Sequence, residues 1–432
     1  MKVCMVGAGY VGLVSGACFA DLGNTVYCVD KNKDKIDLLN RNKIPIFEPG
    51  LKELIYKNYL SKRLKFTTDL RLAIKNSDII FICVGTPTLK KSRSADLQYV
   101  FKVAHELAKS IKKFKIIVTK STVPISTGDK IEKIISKRIN KKNFEVVSNP
   151  EFLREGDAIR DFRYPDRIVV GSNSKKAFKK LRDLYDPLIK KGAKFLETNR
   201  RGAELIKYAS NAFLATKITF INEIANLCEK TNVNAEDVAI GVGLDQRIGS
   251  RFLRVGPAYG GSCFPKDTKA ITVTADSYKT NLSIIKSVIK SNENRKILLT
   301  KKIIKILSNK VKNKVITFLG VTFKANTDDM RDSSCLFMIP FLLKKGAKIK
   351  YYDPTGEKKE FNKHKNLTYC NSIEKACNKT DLLIIHTDWE EFKVLSFDKL
   401  YKKKKFKIYD MRNLYSIEDM RKKGFQYYSI GR

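Results

Sequence analysis

The sequence predicts an α/β protein in which two parallel-sheet domains are joined by a helical middle domain with a long central helix. From Met1 to about Thr198, short β-branched runs alternate with helical stretches. Strand signals then stop until about Leu307, and the alternation resumes beyond that residue. Because strands that alternate with helices are typical of parallel sheets, we predict domains at residues 1–198, 199–307 and 308–432.

Apolar runs of strand length define the two predicted sheets. Those of the first sheet are Val3–Gly7, Thr25–Asp30, Lys65–Thr68, Ile79–Val84, Ile116–Thr119, Val146–Ser148 and Arg167–Gly171. Those of the second sheet are Val315–Gly320, Lys348–Asp353, Asp381–Thr387 and Lys407–Asp410, with a helix predicted at Ser333–Lys345. Between the sheets, apolar residues recur with helical spacing from Gly202 to Lys230, which predicts the long central helix.

A glycine motif directly follows the first predicted strand and opens a helix. Its sequence is Gly7-Ala8-Gly9-Tyr10-Val11-Gly12. Gly7 can form the tight turn, Gly9 lets the backbone approach a pyrophosphate, and Gly12 lets the helix pack closely on the strand. The phosphates would then bind at the helix N-terminus. The motif predicts a dinucleotide site in a Rossmann-like domain, and the alternative is a glycine-rich turn that binds nothing.

Asp30 ends the second predicted strand, close to the interval of about 20 residues at which a ribose-binding carboxylate follows the glycine motif. A carboxylate at this position accepts hydrogen bonds from the ribose hydroxyls and repels a 2′-phosphate, which favours NAD over NADP. Lys31, Lys33 and Lys35 lie nearby and weaken this preference. We predict NAD as the cofactor.

Polar residues follow three further strands of the first predicted sheet. Thr86 and Thr122 lie in Gly85-Thr86-Pro87 and Ser121-Thr122-Val123-Pro124, and Glu151 and Glu155 lie in the segment 149–156. Because the carboxyl ends of parallel strands line the ligand crevice, these residues are site candidates. Turn formation explains the threonines equally well, and helix capping is the alternative for the acidic cluster.

Cys263 stands apart from the other cysteines. It follows the glycine pair Gly260-Gly261 and precedes Pro265, which suits the start of a helix. A helix start and the neighbouring Lys266 both stabilise a thiolate, and Asp267 lies one helical turn further on. Apolar patterns typical of core positions instead contain Cys4, Cys18, Cys28, Cys83 and Cys228. We therefore predict that Cys263 is a nucleophile.

Lys207 and Asn211 share one face of the predicted central helix, because they are four residues apart. Near a nicotinamide they would bind a developing oxyanion, and a solvated helix face is the alternative. An NAD site together with a nucleophilic cysteine implies more than the exchange of an alcohol and a ketone, since a thiolate traps an aldehyde as a thiohemiacetal that gives up a second hydride. The sequence thus predicts oxidation of a primary alcohol to a carboxylate with two NAD per turnover.

The composition limits other classes of function. Lysine and arginine number 85 against 45 acidic residues, and the formal net charge of +40 favours anionic partners. The basic residues occur in every segment, including 175–180 and 402–405, and we recognise no nucleic-acid-binding motif, so we predict no nucleic acid partner. Nine scattered cysteines and three histidines indicate neither a disulfide framework nor a metal site. Since we recognise neither a signal peptide nor a membrane-length apolar run, we expect no membrane association and a cytoplasmic location.

The chain is similar from end to end to the nucleotide-sugar dehydrogenases of the UDP-glucose/GDP-mannose family, which also includes enzymes for UDP-N-acetylmannosamine. The segments that carry the resemblance are GAGYVGLVSGACFADLG, VGTP, STVP, NPEFLREGDAIRDFRYPDRIVVG, ELIKYASNAFLATKITFINEIANLCE, GLDQRIGSRFLRVGPAYGGSCFPKD and GVTFKANTDDMRDS. The resemblance implies that Cys263 is the nucleophile and that Lys207 and Asn211 stabilise the oxyanion. It gives the handling of water and protons to Asp267, Thr122 and Glu151.

The resemblance also implies binding residues. Besides the glycines, the cofactor would contact Val11, Asp30, Lys35, Thr86, Thr122, Glu155, Lys266 and Arg331. The sugar nucleotide would contact Glu151, Phe152, Leu153, Arg154, Glu155, Lys207, Asn211, Phe252, Leu253, Arg254, Val255, Gly256, Gly260 and Lys324. Arg247 would come from the second subunit of a homodimer formed through the middle helix. Two departures affect loops: Thr88–Arg93 is more basic than usual, and Ala258 replaces a common glycine.

The leading hypothesis is four-electron oxidation of UDP-glucose to UDP-glucuronate, because FINEIANLCE, PDRIVVG and RIGSRFL resemble the glucose branch of the family. A related enzyme acting on GDP-mannose or UDP-N-acetylmannosamine is the alternative within this class. From another class, a basic binding protein that only retains the fold is the alternative, and the presence of Cys263, Lys207, Asn211 and Asp267 argues against it.

Overall fold

A computed structural model describes residues 1–89, 92, 94–400 and 406–432 of the chain. Three basic residues of the loop after Thr88, namely Lys90, Lys91 and Arg93, and the basic run 402–405 lie outside the described residues. The contacts of the chain divide it into two compact units. The first comprises Met1–Ser210 and Lys269–Thr280, and the second comprises Asn211–Thr268 and Asn281–Arg432. The three domain limits given above stay a prediction.

The first unit is built on a sheet of eight strands. They are β1 (Lys2–Val6), β2 (Thr25–Val29), β3 (Leu64–Thr67), β4 (Ile79–Ile82), β5 (Lys115–Thr119), β6 (Phe144–Ser148), β7 (Arg167–Gly171) and β8 (Lys194–Thr198). The strand order β3-β2-β1-β4-β5-β6-β7-β8 begins with the arrangement of a Rossmann fold, in which the order reverses between β1 and β4. Ligands bind at this reversal in open α/β sheets, beyond the carboxyl ends of the strands.

One strand of the first sheet departs from the predicted parallel arrangement. Arg167–Gly171 meets β6 in an antiparallel pairing of Ser148 with Gly171, and it runs parallel to β8. The connection between β6 and β7 contains one short helix of six residues, Ala158–Arg163, and the chain returns beside β6 in the opposite direction. Mixed sheets of this kind are common among large α/β sheets. The expectation that this strand continues the parallel sheet was therefore wrong.

Helices cover both faces of the first sheet. They are α1 (Tyr10–Asp21), α2 (Lys33–Asn40), α3 (Leu51–Leu60), α4 (Leu70–Lys75), α5 (Gln98–Ser110), α6 (Thr127–Ser136), α7 (Ala158–Arg163) and α8 (Lys175–Ile189), with a short 3₁₀ turn at Lys141–Asn143. Alternate residues of β1 enter different cores, because Val3 and Met5 join one apolar cluster whereas Cys4 and Val6 join another. A strand that is buried on both sides explains why β1 reads as a continuous apolar run.

Between Thr198 and Val315, all of which the structure describes, the chain is helical and contains no strand. The helices are α9 (Arg200–Thr231), α10 (Ala235–Leu244), α11 (Phe264–Ser277) and α12 (Ser283–Ile306). Helix α9 is the predicted long central helix, and its 32 residues begin after Asn199, whose side chain accepts a hydrogen bond from the Gly202 N–H at 2.8 Å. The predicted helical middle segment is thus confirmed.

The second unit contains a sheet of six strands. They are β9 (Val315–Leu319), β10 (Lys348–Tyr352), β11 (Leu367–Tyr369), β12 (Leu382–Ile385), β13 (Lys407–Asp410) and β14 (Tyr427–Tyr428). The accompanying helices are α13 (Cys335–Lys344), α14 (Ile373–Cys377), α15 (Glu390–Lys393), α16 (Phe397–Leu400) and α17 (Ile417–Lys422), with a 3₁₀ turn at Lys359–Phe361. The order β11-β10-β9-β12-β13-β14 repeats the Rossmann arrangement. The predicted fold class is confirmed in both sheets.

Candidate active site

The glycine motif forms the turn that its sequence predicts. Gly7 has a φ of +106°, which glycine adopts readily. A Cβ on Gly12 would lie 1.9 Å from the Gly7 carbonyl oxygen, so only glycine fits where α1 crosses the turn. A Cβ on Gly9 would meet nothing within 4 Å. The space beside Gly9 and the uncapped first turn of α1 suit the pyrophosphate of a dinucleotide.

Asp30 directly follows β2 and binds the glycine turn. Its Oδ2 accepts hydrogen bonds from the Ala8 N–H and the Lys35 ammonium, each at 3.0 Å, and its Oδ1 accepts one from the Asn32 N–H at 3.0 Å. Burial alone would raise the pKa of Asp30, but the hydrogen bonds from Asn32 and Lys35 hold this pKa below its ordinary value. The carboxylate is therefore ionised at neutral pH and can accept hydrogen bonds from ribose hydroxyls.

The lysines around Asp30 each have a partner. Lys35 pairs with Asp30, Lys33 pairs with Asp37 at 2.6 Å, and the Lys31 ammonium lies 5.4 Å from the ring centroid of Tyr99. Their charges are thus partly compensated within the protein. This arrangement reduces the attraction that we expected them to exert on a 2′-phosphate.

The two predicted threonines, Thr86 and Thr122, connect the ends of neighbouring strands. The Thr86 hydroxyl donates a hydrogen bond to the Thr122 carbonyl oxygen at 2.9 Å. Ser121 reinforces the link, since its hydroxyl contacts the carbonyl oxygens of Ile82 and Val84. Hydrogen bonds therefore join the loops that follow β4 and β5, at the end of the sheet where ligands bind in such folds.

Glu151 and Lys207 form a buried ion pair in the first unit. Their charged atoms are 3.2 Å apart, and the side chains are only 6% and 3% exposed. The second carboxylate oxygen of Glu151 accepts the Leu153 N–H at 2.5 Å, and the Lys207 ammonium lies 5.2 Å from the ring centroid of Phe152. Both charges are held in fixed directions, as a site that binds a developing oxyanion requires.

The rest of the loop after Glu151 is more exposed. Arg154 is exposed and binds Asp161 through three side-chain contacts of 2.6, 2.9 and 3.3 Å, and Glu155 is partly buried. Glu48 fixes the end of the loop, because its carboxylate accepts the N–H groups of Gly156 and Ala158 at 2.6 and 2.7 Å. Sequence reasoning missed Glu48, since no motif surrounds it.

Cys263 immediately precedes α11 in the second unit and is partly exposed, whereas the other eight cysteines are buried. The Asp267 N–H donates to the Cys263 carbonyl oxygen at 2.8 Å, which places Asp267 one helical turn further on, as predicted. The Ser262 hydroxyl lies 3.4 Å from the Cys263 sulfur. Burial raises the pKa of the Cys83 thiol to about 12, which keeps that cysteine unreactive. Cys263 is thus the cysteine with the exposure that a nucleophile needs.

The Asp267 carboxylate is fully buried and joins two predicted site residues of the second unit. One of its oxygens binds the Lys266 ammonium at 2.7 Å, and the other accepts a hydrogen bond from the Asn211 amide at 2.6 Å. The Asn211 nitrogen carries a second hydrogen that this bond does not use. Asp267 therefore orients an N–H donor and pairs with the charge of Lys266.

The glycine pair before Cys263 packs against the loop that follows β9. A Cβ on Gly260 would lie 2.6 Å from the Asp332 carbonyl oxygen, and a Cβ on Gly261, whose φ is +81°, would lie 2.6 Å from the Phe323 ring. The same loop carries two other predicted residues. The Lys324 ammonium lies 5.8 Å from the Phe323 ring centroid, and Arg331 pairs with Asp329 at 2.8 Å.

The segment Phe252–Gly256 begins with a strained residue, since Phe252 has a φ of +68°. Leu253 and Val255 are buried in an apolar cluster of the second unit, so only their backbone could contact a substrate. Arg254 binds Asp388 at 2.7 Å. Arg247 is strongly exposed and pairs with Asp245 at 2.6 Å.

Arg412 is a further residue that sequence reasoning missed. It follows β13, and its guanidinium donates hydrogen bonds to the carbonyl oxygens of His386 and Phe323 at 2.8 and 3.2 Å. A Cβ on Gly256 would come within 2.9 Å of the Arg412 guanidinium. A partly buried cation therefore lies beside the predicted substrate segment at the carboxyl ends of the second sheet. Its position after a predicted strand was the available signal.

Two kinds of feature are absent from the described residues. Within them, no group of three or more His, Cys, Asp or Glu side chains is arranged to hold a metal ion. In the same part of the chain, no helix combines the length and apolar character needed to cross a membrane.

Comparison with known proteins assigns each part of the chain to one family. Residues 1–189, 201–294 and 317–417 match the NAD binding domain, the central domain and the UDP binding domain of the UDP-glucose/GDP-mannose dehydrogenase family. The cofactor prediction, NAD, is confirmed by the first of these matches, and the prediction that the chain is a dehydrogenase is also confirmed.

Individual relatives cover the whole chain. A UDP-glucose 6-dehydrogenase of Rhizobium meliloti (strain 1021) is 48% identical, with 100% of both chains covered. One of Rickettsia felis is 47% identical and covers 100% of this chain and 96% of its own. The structure of a UDP-glucose dehydrogenase from the hyperthermophilic archaeon Pyrobaculum islandicum has a TM-score of 0.90 at 33% identity, covering 99% of this chain and 96% of its own. This chain belongs to the UDP-glucose/GDP-mannose dehydrogenase family.

Proposed function

We propose that this chain oxidises UDP-glucose to UDP-glucuronate with NAD, in two steps of two electrons each. The observation that carries the proposal is full-length similarity to relatives named UDP-glucose 6-dehydrogenase, at 48% and 47% identity. A partly exposed Cys263 at the start of a helix supports the same reaction. A primary alcohol passes through an aldehyde on its way to an acid, and a cysteine can hold that aldehyde covalently.

In the first oxidation, the primary alcohol loses a proton from its oxygen and a hydride from its carbon. NAD, when bound, would supply the hydride acceptor, and one NAD would be consumed in each of the two oxidations. We assign Lys207 to the oxygen that becomes negative, because its ammonium is buried and held by Glu151 at 3.2 Å. Glu151 and Thr122 would pass the alcohol proton to water, in the roles that the family resemblance gives them.

In the second oxidation, the Cys263 thiolate attacks the aldehyde carbon and forms a carbon–sulfur bond. Asn211 would donate an N–H to the resulting oxyanion, and Asp267 orients that amide at 2.6 Å. Loss of a hydride leaves a thioester. Water then attacks the thioester carbon, the carbon–sulfur bond breaks, and the thiolate and a carboxylate are released. Asp267 would receive one proton from that water, and the second proton would pass to solvent.

The test is NADH formation from a panel of nucleotide sugars. We expect kcat/KM for UDP-glucose to exceed that for GDP-mannose and UDP-N-acetylmannosamine by roughly a hundredfold, because the sugar's substituents must fit a fixed pocket. A preference for either other substrate would instead support a different branch of the same family. No NADH from any of the three would reject the proposed function.

We also propose that the chain is a homodimer that uses helix α9. Phe213, Phe220 and Leu227 recur every seven residues and are 64%, 48% and 59% exposed, which gives the second unit an uncovered apolar stripe. A second copy of the same helix would cover this stripe, in keeping with the family resemblance. Light scattering should give the mass of two chains, and Phe220→Glu should give the mass of one. Val394→Glu, at another exposed apolar position, is the control. A monomeric wild type would contradict this proposal.

The cysteines support one further proposal, on location. None of the nine is in a disulfide, although several lie in the cores of the two units. We propose that the protein works in a reducing compartment such as the cytoplasm.

A further inference from the structure

The segment Gly256–Tyr259 in the second unit connects the predicted substrate residues to the turn that carries Cys263. It belongs to no helix or strand, so its peptide groups need partners from elsewhere. Helices α9 and α12 provide them. Asn222 accepts the Gly256 N–H at 3.0 Å, and Arg295 donates to the Gly256 carbonyl oxygen at 2.7 Å.

Asn292 binds the other end of the segment in the same manner. Its amide oxygen accepts the Tyr259 N–H at 2.9 Å, and its amide nitrogen donates to the Tyr259 carbonyl oxygen at 3.1 Å. The N–H and the carbonyl oxygen of Gly256, and those of Tyr259, are therefore all hydrogen-bonded to side chains. We call Asn222, Asn292 and Arg295 the backbone clamp.

The clamp is buried and connected within itself. Its side chains belong to residues that are 2%, 3% and 5% exposed, for Asn222, Asn292 and Arg295 respectively. Arg295 also donates to the Asn222 carbonyl oxygen at 3.0 Å, which joins α12 to α9. Burial lowers the pKa of Arg295 to about 10, so it remains charged at neutral pH. Burying a charge is costly unless it is hydrogen-bonded, and the Arg295 guanidinium bonds the backbone of one loop and one helix and the side-chain oxygen of Asn226 at 3.3 Å.

We propose that the backbone clamp positions the substrate segment and Cys263 for the reaction, an inference that rests on the proposed function. Gly256 ends the substrate segment, so Asn222 and Arg295 should govern substrate affinity. Tyr259 precedes the Gly260-Gly261 turn, so Asn292 should govern the placement of the thiol. The clamp residues are positioning residues, because they act through the backbone of Gly256 and Tyr259.

The central experiment compares Asn292→Ser with Asn294→Ser. Both change an asparagine of α12 to the same residue, but Asn294 is exposed and makes no clamp bond among the described residues. Since small displacements of a reacting group cost much rate, we expect Asn292→Ser to slow the second oxidation by about tenfold or more and to release aldehyde. NAD affinity, measured by fluorescence, should stay unchanged. Asn294→Ser should behave as the wild type does.

A folded Asn292→Ser protein that forms acid at the control's rate without aldehyde would overturn the proposal. If that variant does not fold, Arg295→Met and Arg295→Lys test the clamp instead. KM for UDP-glucose should rise in the methionine variant and recover partly in the lysine variant, which keeps a donor for Gly256. Equal KM values in both variants and the wild type would overturn the proposal.

A separate measurement distinguishes failure of the clamp from failure of the proposed function. The rate at which iodoacetamide alkylates Cys263, followed by mass spectrometry, needs no substrate. We expect this rate to change in Asn292→Ser and not in Asn294→Ser, even if the wild type oxidises none of the nucleotide sugars. Equal alkylation rates would count against the clamp, whereas an inactive wild type would count against the function alone.

Discussion

At the scale of single residues, exposure separates Cys263 from the other cysteines. Burial raises the pKa of the Cys18 and Cys377 thiols to about 12, so these groups stay protonated near neutral pH. Cys263 lies at a helix start, where the aligned N–H groups favour a thiolate. The contrast explains why one cysteine among nine can be assigned to chemistry from its position alone.

Cys263→Ser tests that assignment. A serine hydroxyl is a far weaker nucleophile than a thiolate, so we expect acid formation to fall by roughly a thousandfold or more, with the reaction halted at the second oxidation. Steady-state acid formation is the measurement, and Cys370→Ser is the control because Cys370 lies outside the proposed site. Near wild-type turnover in the Cys263 variant would mean that no thioester forms.

At the scale of elements, Glu204 connects helix α9 to the N-terminus of α6 within the first unit. Its carboxylate accepts the N–H groups of Ser126 and Gly128 at 2.7 and 2.8 Å and the Ser148 hydroxyl at 3.1 Å. Lys207 lies one turn further along α9, and Thr122 lies shortly before α6. Glu204 therefore helps to fix two predicted site residues with respect to each other.

The ionisation of Glu204 should make stability depend on pH. Burial outweighs the hydrogen bonds and raises the pKa of Glu204 from 4.5 to about 7. A raised pKa in the folded state gives stability that is present below pH 4.5 and is lost as pH rises towards 7, on the order of 3 kcal/mol in total. Glu204→Gln cannot ionise, so its melting temperature relative to the wild type should rise between pH 5 and 8. Exposed Glu53→Gln should show no such trend, and parallel curves for Glu204→Gln would refute the argument.

The elements that sequence predicted are those whose burial leaves a pattern. Interior strands such as β1, β4 and β12 are continuous apolar runs, and all were predicted. The strands that were missed are β8, β11 and β14, each at an edge of its sheet. Edge strands are half exposed, and β11 and β14 have only three and two residues, so they carry no apolar run.

Among the candidate site residues, the sequence likewise suggested those that leave a local pattern. Gly7, Asp30 and Cys263 stand in local motifs whose spacing carries meaning, so the sequence could nominate them as candidates. Glu204 and Arg412 are single charged residues whose partners are distant in the chain, and such residues read as solvated surface until the fold is known. Arg295 and Asn292 could not be nominated from the sequence for the same reason, because they lie on a helix rich in lysine.

At the scale of the whole molecule, the 85 basic residues outnumber the 45 acidic ones, so a net charge of +40 remains however the ion pairs form. Pairs such as Lys33–Asp37 and Lys190–Asp186 are exposed and contribute little to stability. Excess positive charge nevertheless raises the local concentration of anions, and both NAD and nucleotide sugars are anions. Added salt should therefore weaken the binding of NAD and nucleotide sugars more than it lowers the stability of the folded protein.

Stoichiometry is the property of the whole molecule that best separates the proposed reaction from a single oxidation. A dehydrogenase that converts an alcohol to a ketone has no use for the Cys263 thiolate and yields one NADH per substrate. The proposed enzyme keeps the aldehyde bound to Cys263 until a second hydride leaves, so we expect about two NADH per UDP-glucose when the sugar is limiting, without free aldehyde. Absorbance of NADH at completion gives the yield, and an aldehyde-trapping hydrazide tests for the release of free aldehyde.

A yield near one with aldehyde in solution would reject the cysteine mechanism even if UDP-glucose is the substrate. A yield near two with GDP-mannose and near zero with UDP-glucose would retain the mechanism and change only the substrate, because the chemistry at the primary carbon is the same in both sugars.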